Sequence, residues 1–470
     1  MEEKPYADKG RKMYYIGMDI GTTTISGLLI DADNGNEITR KTIANSTRLI
    51  SDDSWKSVQS ARQISEICAE LVRQLSQGYE DNLQGIGITG QMHGILYVDG
   101  EGNACSDLVS WQDERGNLLF DDSQTYCQRI RQLTGCSVAT GFGITTLFYD
   151  TVNGLVPKEA TSICTITDYV AMRLAGRRQP LVHVSNAASL GLFSFDTMSF
   201  MEDKIASLGL DVSLLPEVTA KECIIGQTES GVLVSVAIGD NQASFLGSVG
   251  MGTDTLINIG TGNQISRLSA ERSEINGVEC RPFVNNHFLL VGAGLCGGSS
   301  YSLLVRLFTE AVTLITEESP GNIIKIMDQA AIQALHDGIE PLQVDTRFRG
   351  TRDNSSIRGA ISNISEKNFT MGNLCRSFLK GICEELYAFY KRMQPRCRPD
   401  FYAISGNAAR NSKILRQMAV EVFGAEVRVP QNAEEAAYGA ALLAIHVTEG
   451  RSWDEITKLV RYNEPVTLLA

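Results

Sequence analysis

The sequence of 470 residues lacks the patterns that mark several protein classes. Its eleven cysteines form no C-x-x-C pair and are odd in number, which argues against a zinc ribbon and against a disulfide framework. The longest apolar stretch, residues 436–447, is too short to span a bilayer. The first 15 residues contain no apolar segment of the kind found in secretory signals. We therefore expect a cytoplasmic protein with no membrane partner.

Basic residues are also scarce. The chain has 42 Lys and Arg against 55 Asp and Glu, a net charge of −13, which argues against a broad nucleic-acid-binding surface. An anionic ligand would have to be held by local geometry rather than by a lysine patch. The length predicts two or three domains, and the 43 glycines are a mild excess over average composition.

An internal repeat indicates how the chain is organised. Residues 19–28 read DIGTTTISGL, and residues 258–268 read NIGTGNQISRL. After the first copy, an amphipathic helix pattern is followed by the strand GIGIT and then Gly90-Gln91. After the second copy, a predicted helix at 371–393 is followed by the strand FYAIS and then Gly406-Asn407. We therefore predict two related α/β halves, residues 1–245 and 246–470, with a ligand cleft between them.

The paired Gly-Thr turns are candidates for phosphate binding. Their amide hydrogens and threonine hydroxyls can converge on phosphate oxygens, although a single such turn is more often a plain hairpin. Asp19 precedes the first turn and is a candidate ligand for Mg²⁺ through water. The alternative for Asp19 is a turn hydrogen bond.

Asp240 is the candidate catalytic carboxylate. It follows the apolar run VLVSVAIG and precedes the helix-like NQASFLGS, so it is expected at the carboxyl end of a strand, where α/β proteins bind ligands. A carboxylate there could accept a proton from an attacking hydroxyl. Its alternative role is to cap the following helix.

Two polar segments, GQMHG at 90–94 and SWQDERG at 110–116, have the mixed donors and acceptors that polyol recognition needs. They make Trp111 and Asp113 candidates for substrate binding. Taken alone, a histidine such as His93 is more often structural than a ligand contact, and Trp111 could as easily be a core residue. Asp113 and Arg115 could form a solvated ion pair of little energetic value.

One segment competes with this interpretation. Gly292, Gly294 and Gly297 have the G-x-G-x-x-G spacing of a dinucleotide-binding loop, with Glu317 twenty residues beyond. No run of alternating βαβ units precedes them, and a dinucleotide site would leave the Gly-Thr turns and Asp240 unexplained. The same glycines suit a loop that packs close to a nucleotide in a kinase.

Taken together, the motifs resemble those of the FGGY family of carbohydrate kinases. The resemblance covers residues 13 to about 445, in the order DIGTTT, GQMHG, WQDER, IGDNQAS, NIGTG, GAGLCGG, SGNAARN and EEAAYGAALLA. It implies an α/β fold of two ribonuclease-H-like (actin-like ATPase) domains that close on ATP. Segments such as SVATGFGITTLF and SNAASLGLF are most similar to family members that act on sedoheptulose, and next to those that act on xylulose.

The same resemblance assigns roles to individual residues. It implies that Asp240 deprotonates a terminal sugar hydroxyl, and that Asp19 helps to hold Mg²⁺. The implied sugar pocket is lined by Gln91, Met92, His93 and Asn241. The implied contacts to the ATP phosphates and to the rest of the nucleotide are Thr22, Thr23, Thr24, Gly260, Thr261, Gly297, Gly406, Asn407 and Asn411.

We therefore expect ATP-dependent phosphorylation of the terminal hydroxyl of a ketose, with sedoheptulose favoured and ATP and Mg²⁺ required. Xylulose, or another sugar or polyol, is the alternative substrate. Two other classes stay open: an actin-like scaffold, which would not need Asp240, and an NAD-dependent enzyme. The oligomeric state is also open, with a homodimer as one option.

Overall fold

The computed structural model describes residues 12–318, 320–351, 354–395 and 397–467. Residues 1–11, on which part of the expectation about signal segments depends, lie outside the described residues. The chain forms two compact units. Unit 1 contains the residues up to Gly250, Pro282–His287 and Asn432–Val460, and unit 2 contains the rest. Within the described ranges, no helix is both long and apolar enough to cross a membrane.

From residue 12 to Gly250, the described first part of unit 1 has sixteen strands and seven α-helices. The strands are β1 (Tyr14–Ile20), β2 (Thr24–Asp31), β3 (Glu37–Ala44), β4 (Val58–Gln59), β5 (Leu83–Gly90), β6 (Leu96–Asp99), β7 (Leu108–Val109), β8 (Leu119–Asp121), β9 (Gln124–Thr125), β10 (Ala160–Cys164), β11 (Leu181–His183), β12 (Phe193–Ser194), β13 (Ser199–Phe200), β14 (Glu217–Thr219), β15 (Ile224–Gln227) and β16 (Leu233–Ser235). The helices are α1 (Ala61–Ser76), α2 (Tyr126–Thr134), α3 (Gly143–Val152), α4 (Ile166–Leu174), α5 (Val184–Ser189), α6 (Glu202–Ser207) and α7 (Asp240–Val249).

A six-stranded sheet with the order β15-β16-β5-β1-β2-β3 forms the centre of unit 1. β1, β2 and β3 are an antiparallel meander, whereas β5 runs parallel to β1 and β16 runs parallel to β5. Helix α1 connects the meander to β5. It begins where the Ser60 hydroxyl accepts from the Gln63 amide, and it buries Ile64, Cys68 and Leu71 on one face.

Among the residues of the second half that the structure describes, eight strands and five α-helices belong largely to unit 2. The strands are β17 (Thr255–Ile259), β18 (Asn263–Ser269), β19 (Glu279–Pro282), β20 (Phe288–Gly294), β21 (Gln343–Asp345), β22 (Ala360–Ser362), β23 (Phe401–Ser405) and β24 (Glu426–Arg428). The helices are α8 (Gly298–Thr316), α9 (Ile323–His336), α10 (Met371–Arg392), α11 (Asn407–Asn411) and α12 (Lys413–Phe423).

The central sheet of unit 2 repeats the plan of unit 1. Its order is β19-β20-β18-β17-β23-β24, in which β17, β18 and β20 form the antiparallel meander and β23 runs parallel to β17 after helix α10. The repeat extends to single residues. A Cβ on Gly90, at the end of β5, would lie 2.4 Å from the Ile20 oxygen, and a Cβ on Gly406, after β23, would lie 2.4 Å from the Ile259 oxygen. These observations confirm the predicted internal repeat.

After unit 2 the chain returns to unit 1 as α13 (Glu435–Glu449) and α14 (Trp453–Thr457). α13 packs directly on the central sheet because glycines leave room for its backbone. A Cβ on Gly17 would lie 1.8 Å from the Ala437 oxygen, and a Cβ on Gly87 would lie 1.8 Å from the Ala440 oxygen. The apolar stretch at residues 436–447 is therefore a buried core helix.

Candidate active site

The turn between β1 and β2 is the first predicted phosphate contact. Other parts of unit 1 occupy its carbonyl oxygens. Asn45 Nδ2 donates to the Gly21 oxygen across 2.8 Å, Gln59 Nε2 donates to the Thr22 oxygen across 3.0 Å, and the Asn45 amide donates to the Thr23 oxygen across 2.8 Å. Because carbonyl oxygens repel anions, this arrangement suits a turn that offers amide hydrogens and hydroxyls to a phosphate.

Gln91 and Trp111 are attached to this turn. The Gln91 amide donates to the Ile20 oxygen across 2.9 Å, and Gln91 Nε2 donates to Gln59 Oε1, also across 2.9 Å. The indole Nε1 of Trp111 donates to Thr22 Oγ1 across 3.0 Å. Trp111 is 46% exposed, so the alternative of a core tryptophan is wrong. Its ring is a surface on which a sugar could stack.

Asp19 is the predicted metal ligand, near the end of β1. Burial raises the pKa of Asp19 to about 7, and the carboxylates of Asp240 and Glu434 add to this shift. A cation beside Asp19 would offset that repulsion. In the described part of the chain, no three His, Cys, Asp or Glu side chains are placed to hold a metal ion. A Mg²⁺ ion at this position would be bound by one carboxylate together with water and phosphate oxygens, a set of ligands that this ion accepts.

Asp240 is the first residue of α7, and its side chain is exposed. The N-cap position is Gly239, where no side chain caps the helix, so the alternative of Asp240 as the N-cap is wrong. The Gly239 amide donates to Ser185 Oγ across 3.1 Å, and the preceding Ile238 oxygen accepts from Thr89 Oγ1 across 2.8 Å. The backbone before Asp240 is thus fixed, and the helix amino terminus stabilises negative charge at this position.

Three predicted sugar-binding residues have different surroundings. Met92 packs against Gly239, where a Cβ would lie 2.5 Å from the Met92 Cε. His93 has a φ of 72°, and its Nδ1 lies 2.7 Å from the Ser189 oxygen. Asn241 is buried, and its Oδ1 has no hydrogen-bond partner among the described residues. A sugar hydroxyl would supply the donor that this oxygen lacks.

Asp113 belongs to a buried ionic network. Arg115 Nε donates to Asp113 Oδ1 across 2.7 Å, and Arg115 Nη1 donates to Asp150 Oδ1 across 2.6 Å. The second Asp113 oxygen accepts from the Ser57 amide across 3.0 Å, and the Tyr97 hydroxyl donates to Asp150 Oδ2 across 2.9 Å. Because Asp113 is 0% exposed, the alternative of a solvated ion pair is wrong. These contacts fix the SWQDERG segment.

The turn between β17 and β18 is the second predicted phosphate contact. The Gly298 amide donates to the Gly260 oxygen across 2.8 Å, and the Gly297 amide donates to the Thr261 oxygen across 3.2 Å. A Cβ on Gly297 would lie 2.2 Å from the Gly262 oxygen. As in unit 1, protein donors occupy the carbonyl oxygens of the turn, and Gly297 supports the turn at close range.

This packing also explains the G-x-G-x-x-G spacing. Strand β20, which carries Gly292 and Gly294, is antiparallel to β18, whereas a dinucleotide loop follows a strand of a parallel βαβ unit. A Cβ on Gly292 would lie 2.4 Å from the Phe389 Cβ, and one on Gly294 would lie 2.1 Å from Asn263 Oδ1. The glycines therefore leave room for neighbouring side chains, and the dinucleotide alternative is wrong.

A cavity of about 500 Å³ in unit 2 brings four predicted nucleotide contacts together: Gly260, Thr261, Asn407 and Asn411. Its remaining wall is largely apolar and includes Tyr301, Leu379, Ile382 and Leu415. Gly406 does not line the cavity, but its φ of 92° turns the chain from β23 into α11. The volume and the apolar wall suit a base and its ribose.

Several residues of this site carried no interpretable signal in the sequence. Asn45 and Gln59 lie far along the chain from the turn that they support, and neither belongs to a motif. Glu434 is the first residue of the EEAAYGAALLA segment, which precedes a helix, but nothing local relates it to Asp19. Ser185 lies in SNAASLGLF, a segment to which the residues alone assigned no chemistry.

Comparison with known proteins gives matches along most of the chain. Residues 14–247 match the model for the FGGY family of carbohydrate kinases, N-terminal domain, and residues 255–447 match the model for the C-terminal domain. A sedoheptulokinase of Mus musculus is 27% identical over 469 residues, which cover 92% of this chain and 97% of that protein. A xylulose kinase of Staphylococcus xylosus is 24% identical over 464 residues, with 94% and 91% covered.

Solved structures give the same fold. The xylulose kinase from Rhodospirillum rubrum superposes with a TM-score of 0.80 at 19% identity, covering 97% of this chain and 94% of that one. The gluconate kinase from Lactobacillus acidophilus superposes with a TM-score of 0.79 at 18% identity and the same coverage. These likenesses confirm the predicted fold class.

Proposed function

The chain belongs to the FGGY family of carbohydrate kinases, which are ATP-dependent sugar phosphotransferases, and we propose that its substrate is a ketose, with sedoheptulose first. The observation that carries this choice is the similarity to the sedoheptulokinase of Mus musculus, which extends over 97% of that protein. Xylulose is the second candidate, because the xylulose kinase of Staphylococcus xylosus is 24% identical.

Asp240 is the base in the proposed reaction. The terminal hydroxyl oxygen of the sugar attacks the γ-phosphorus of ATP, its proton passes to the Asp240 carboxylate, and ADP leaves. Two features support this role: Asp240 is exposed at the start of α7, and the backbone before it is fixed by Ser185 and Thr89. A general base of this kind contributes about 100- to 10,000-fold to the rate.

The sugar site is proposed to lie beside Asp240 in unit 1. The buried Asn241 Oδ1 would accept a hydroxyl hydrogen, and the exposed Trp111 ring would cover an apolar face of the sugar. Gln91, Met92 and His93 would shape the rest of the pocket. Asp113 would contribute by fixing the segment that carries Trp111.

Each Gly-Thr turn, taken within its own unit, is proposed to offer donors to a phosphate of ATP. Thr23 and Thr24, exposed on the first turn, would offer hydroxyls, and the exposed Thr261 would offer its hydroxyl on the second. Gly260, whose amide donates to the Gly262 oxygen across 3.0 Å, would let the backbone of the second turn approach a phosphate closely. Asp19 would hold Mg²⁺, which supplies charge neutralisation for the transferring phosphoryl group. Positioning of the reactants by these turns supplies most of the remaining rate acceleration, because a loose transition state requires little covalent catalysis by the protein.

The experiment is a coupled assay of ADP release with sedoheptulose, xylulose, ribulose, fructose and glycerol. We expect the highest kcat/KM with sedoheptulose, and a product phosphorylated at the terminal carbon by NMR. A kcat/KM that is highest with xylulose would replace the first candidate by the second. ADP release that no sugar or polyol raises above the sugar-free rate would overturn the proposal.

A further inference from the structure

The shape of the second phosphate turn depends on contacts on two sides. On one side, the amides of Gly298 and Ser299 donate to the oxygens of Gly260 and Thr261 across 2.8 and 3.0 Å. On the other side is Asn263, the first residue of β18, which is only 3% exposed. Asn263 directly follows Gly262, the last residue of the turn, and does not line the 500 Å³ cavity.

The Asn263 side chain is oriented by Glu385, on helix α10. Asn263 Nδ2 donates to Glu385 Oε2 across 3.0 Å. The other amide atom, Asn263 Oδ1, has no hydrogen-bond partner among the described residues. Gly294 leaves room for the pair, since a Cβ there would lie 2.1 Å from Asn263 Oδ1 and 2.7 Å from Glu385 Oε1. The single bond to Glu385 therefore fixes this amide.

Glu385 is in turn connected back to the glycine-rich loop. Its Oε2 also accepts from Thr346 Oγ1 across 3.2 Å, and the Thr346 oxygen accepts from Ser300 Oγ across 3.1 Å. Ser300 lies in the first turn of α8, next to Ser299. Asn263 directly follows Gly262 in the chain and Ser300 directly follows Ser299, so these contacts and the backbone together form a ring within unit 2 that connects the two sides of the turn through Glu385, Thr346 and α8.

We propose that Glu385 is a positioning residue that holds the turn Gly260–Gly262 in the conformation that binds the ATP phosphates. The inference rests on the proposed nucleotide role of this turn. Removing the carboxylate leaves the buried Asn263 amide without a partner, and the turn is then free to relax. The apolar wall of the cavity that would receive the base and ribose, which includes Leu379 and Leu415, lies outside this ring, whereas the phosphate turn borders the same cavity at Gly260 and Thr261.

The chain offers a matched control in Glu384. Glu384 precedes Glu385 on α10 and, like it, lines a second cavity of unit 2 of about 1170 Å³. Surrounding protein atoms partly desolvate both carboxyls, which raises the pKa of each. Glu384 is exposed and, within the described ranges, makes no hydrogen bond to the phosphate turn. Replacing it changes the local charge equally but leaves the ring intact.

The test compares the wild-type protein with Glu385→Ala, Glu385→Gln and Glu384→Gln. Steady-state kinetics give KM for ATP and for the sugar. Calorimetry gives the affinities for adenosine, ADP and a non-hydrolysable ATP analogue. We expect Glu385→Ala to raise KM for ATP and to weaken ADP binding by about 10- to 100-fold, the usual effect of losing a hydrogen bond to a charged group. Adenosine affinity and KM for sugar should stay near wild type. Glu385→Gln should recover most of the loss, because its amide oxygen can still accept from Asn263, and Glu384→Gln should match wild type.

Unchanged KM for ATP in Glu385→Ala would overturn this inference and leave the proposed function standing. Equal losses of adenosine and ADP affinity would also overturn it, since they would mean a general structural role. If Glu385→Ala does not fold, Asn263→Ala, which removes the other partner of the same bond, carries the test, and wild-type ADP affinity in Asn263→Ala would refute the positioning role. A wild-type protein that binds no ATP would overturn the proposed function together with this inference.

Discussion

The indole nitrogen of Trp111 donates a hydrogen bond to the hydroxyl of Thr22 across 3.0 Å, which joins a proposed sugar contact to a proposed phosphate contact within unit 1. The Thr22 hydroxyl in turn lies 3.5 Å from Gln91 Oε1. A substitution of Trp111 or Thr22 is therefore expected to alter the position of the other.

The two residues should show energetic coupling in a double-mutant cycle. Trp111→Phe and Thr22→Val each remove the bond, so the double variant should lose less in kcat/KM than the sum of the single losses, with a coupling of about 0.5–1.5 kcal/mol. Thr22→Ser, which keeps the hydroxyl, should show little loss. Strictly additive losses would mean that the bond has no role in the reaction.

The buried network around Arg115 should matter for stability. Arg115→Met would leave the carboxylates of Asp113 and Asp150 buried without their cation, and we expect a loss of about 3–5 kcal/mol in the free energy of unfolding. Denaturant titration measures this loss. The control is Arg62→Met, which breaks a pair whose Arg62 side chain is 86% exposed and should cost less than about 1 kcal/mol. Similar losses in both variants would contradict the structural role assigned to Arg115.

Asp168 should give the protein a pH-dependent stability. Burial raises the pKa of Asp168 to about 7. Hydrogen bonds from Thr165 and Asn186 lower this pKa, but their effect is smaller than that of burial. The unfolded pKa is about 3.9, so between these values the folded state holds the extra proton and stability falls as pH rises. Asp168→Asn lacks this proton, and wild-type Tm should therefore fall relative to the variant between about pH 5 and pH 8.

The control for Asp168 has the opposite sign. Hydrogen bonds from Ser213 lower the pKa of Asp211, so its contribution to stability is present above the unfolded pKa and is lost as pH falls through the folded one. The Tm of Asp211→Asn, compared with that of the wild type, should therefore not rise between about pH 5 and pH 8. A Tm difference for Asp168→Asn that did not change with pH would show that Asp168 does not titrate in this range.

The sequence predicted the parts of the fold that repeat or recur locally. The two Gly-Thr turns, the helices before GIGIT and FYAIS, and Gly90 and Gly406 at equivalent strand ends all follow from local pattern. The return of α13 to unit 1 does not, because Gly17 and Ala437 are more than four hundred positions apart. Only their small size, which permits a close backbone approach, hints at the contact.

The candidate site also contains residues that the sequence could predict and residues that it could not. The positions of Asp19, Asp240 and the turn residues were predictable because the strand and turn patterns around them are local in the sequence. The surroundings of Asp113 were not predictable, since its burial depends on Arg115 also contacting Asp150, on helix α3. The supports supplied by Asn45, Gln59 and Glu385 likewise arise from tertiary contacts that no short motif records.

The most direct test of the account is the turnover of Asp240→Asn with ATP and the preferred ketose, together with sugar affinity measured by calorimetry. Asparagine keeps the size of the side chain but cannot accept the hydroxyl proton as a base. We predict that kcat falls by at least about 100-fold while the Kd for sugar stays near wild type. Turnover close to wild type would contradict the assignment of Asp240 as the base.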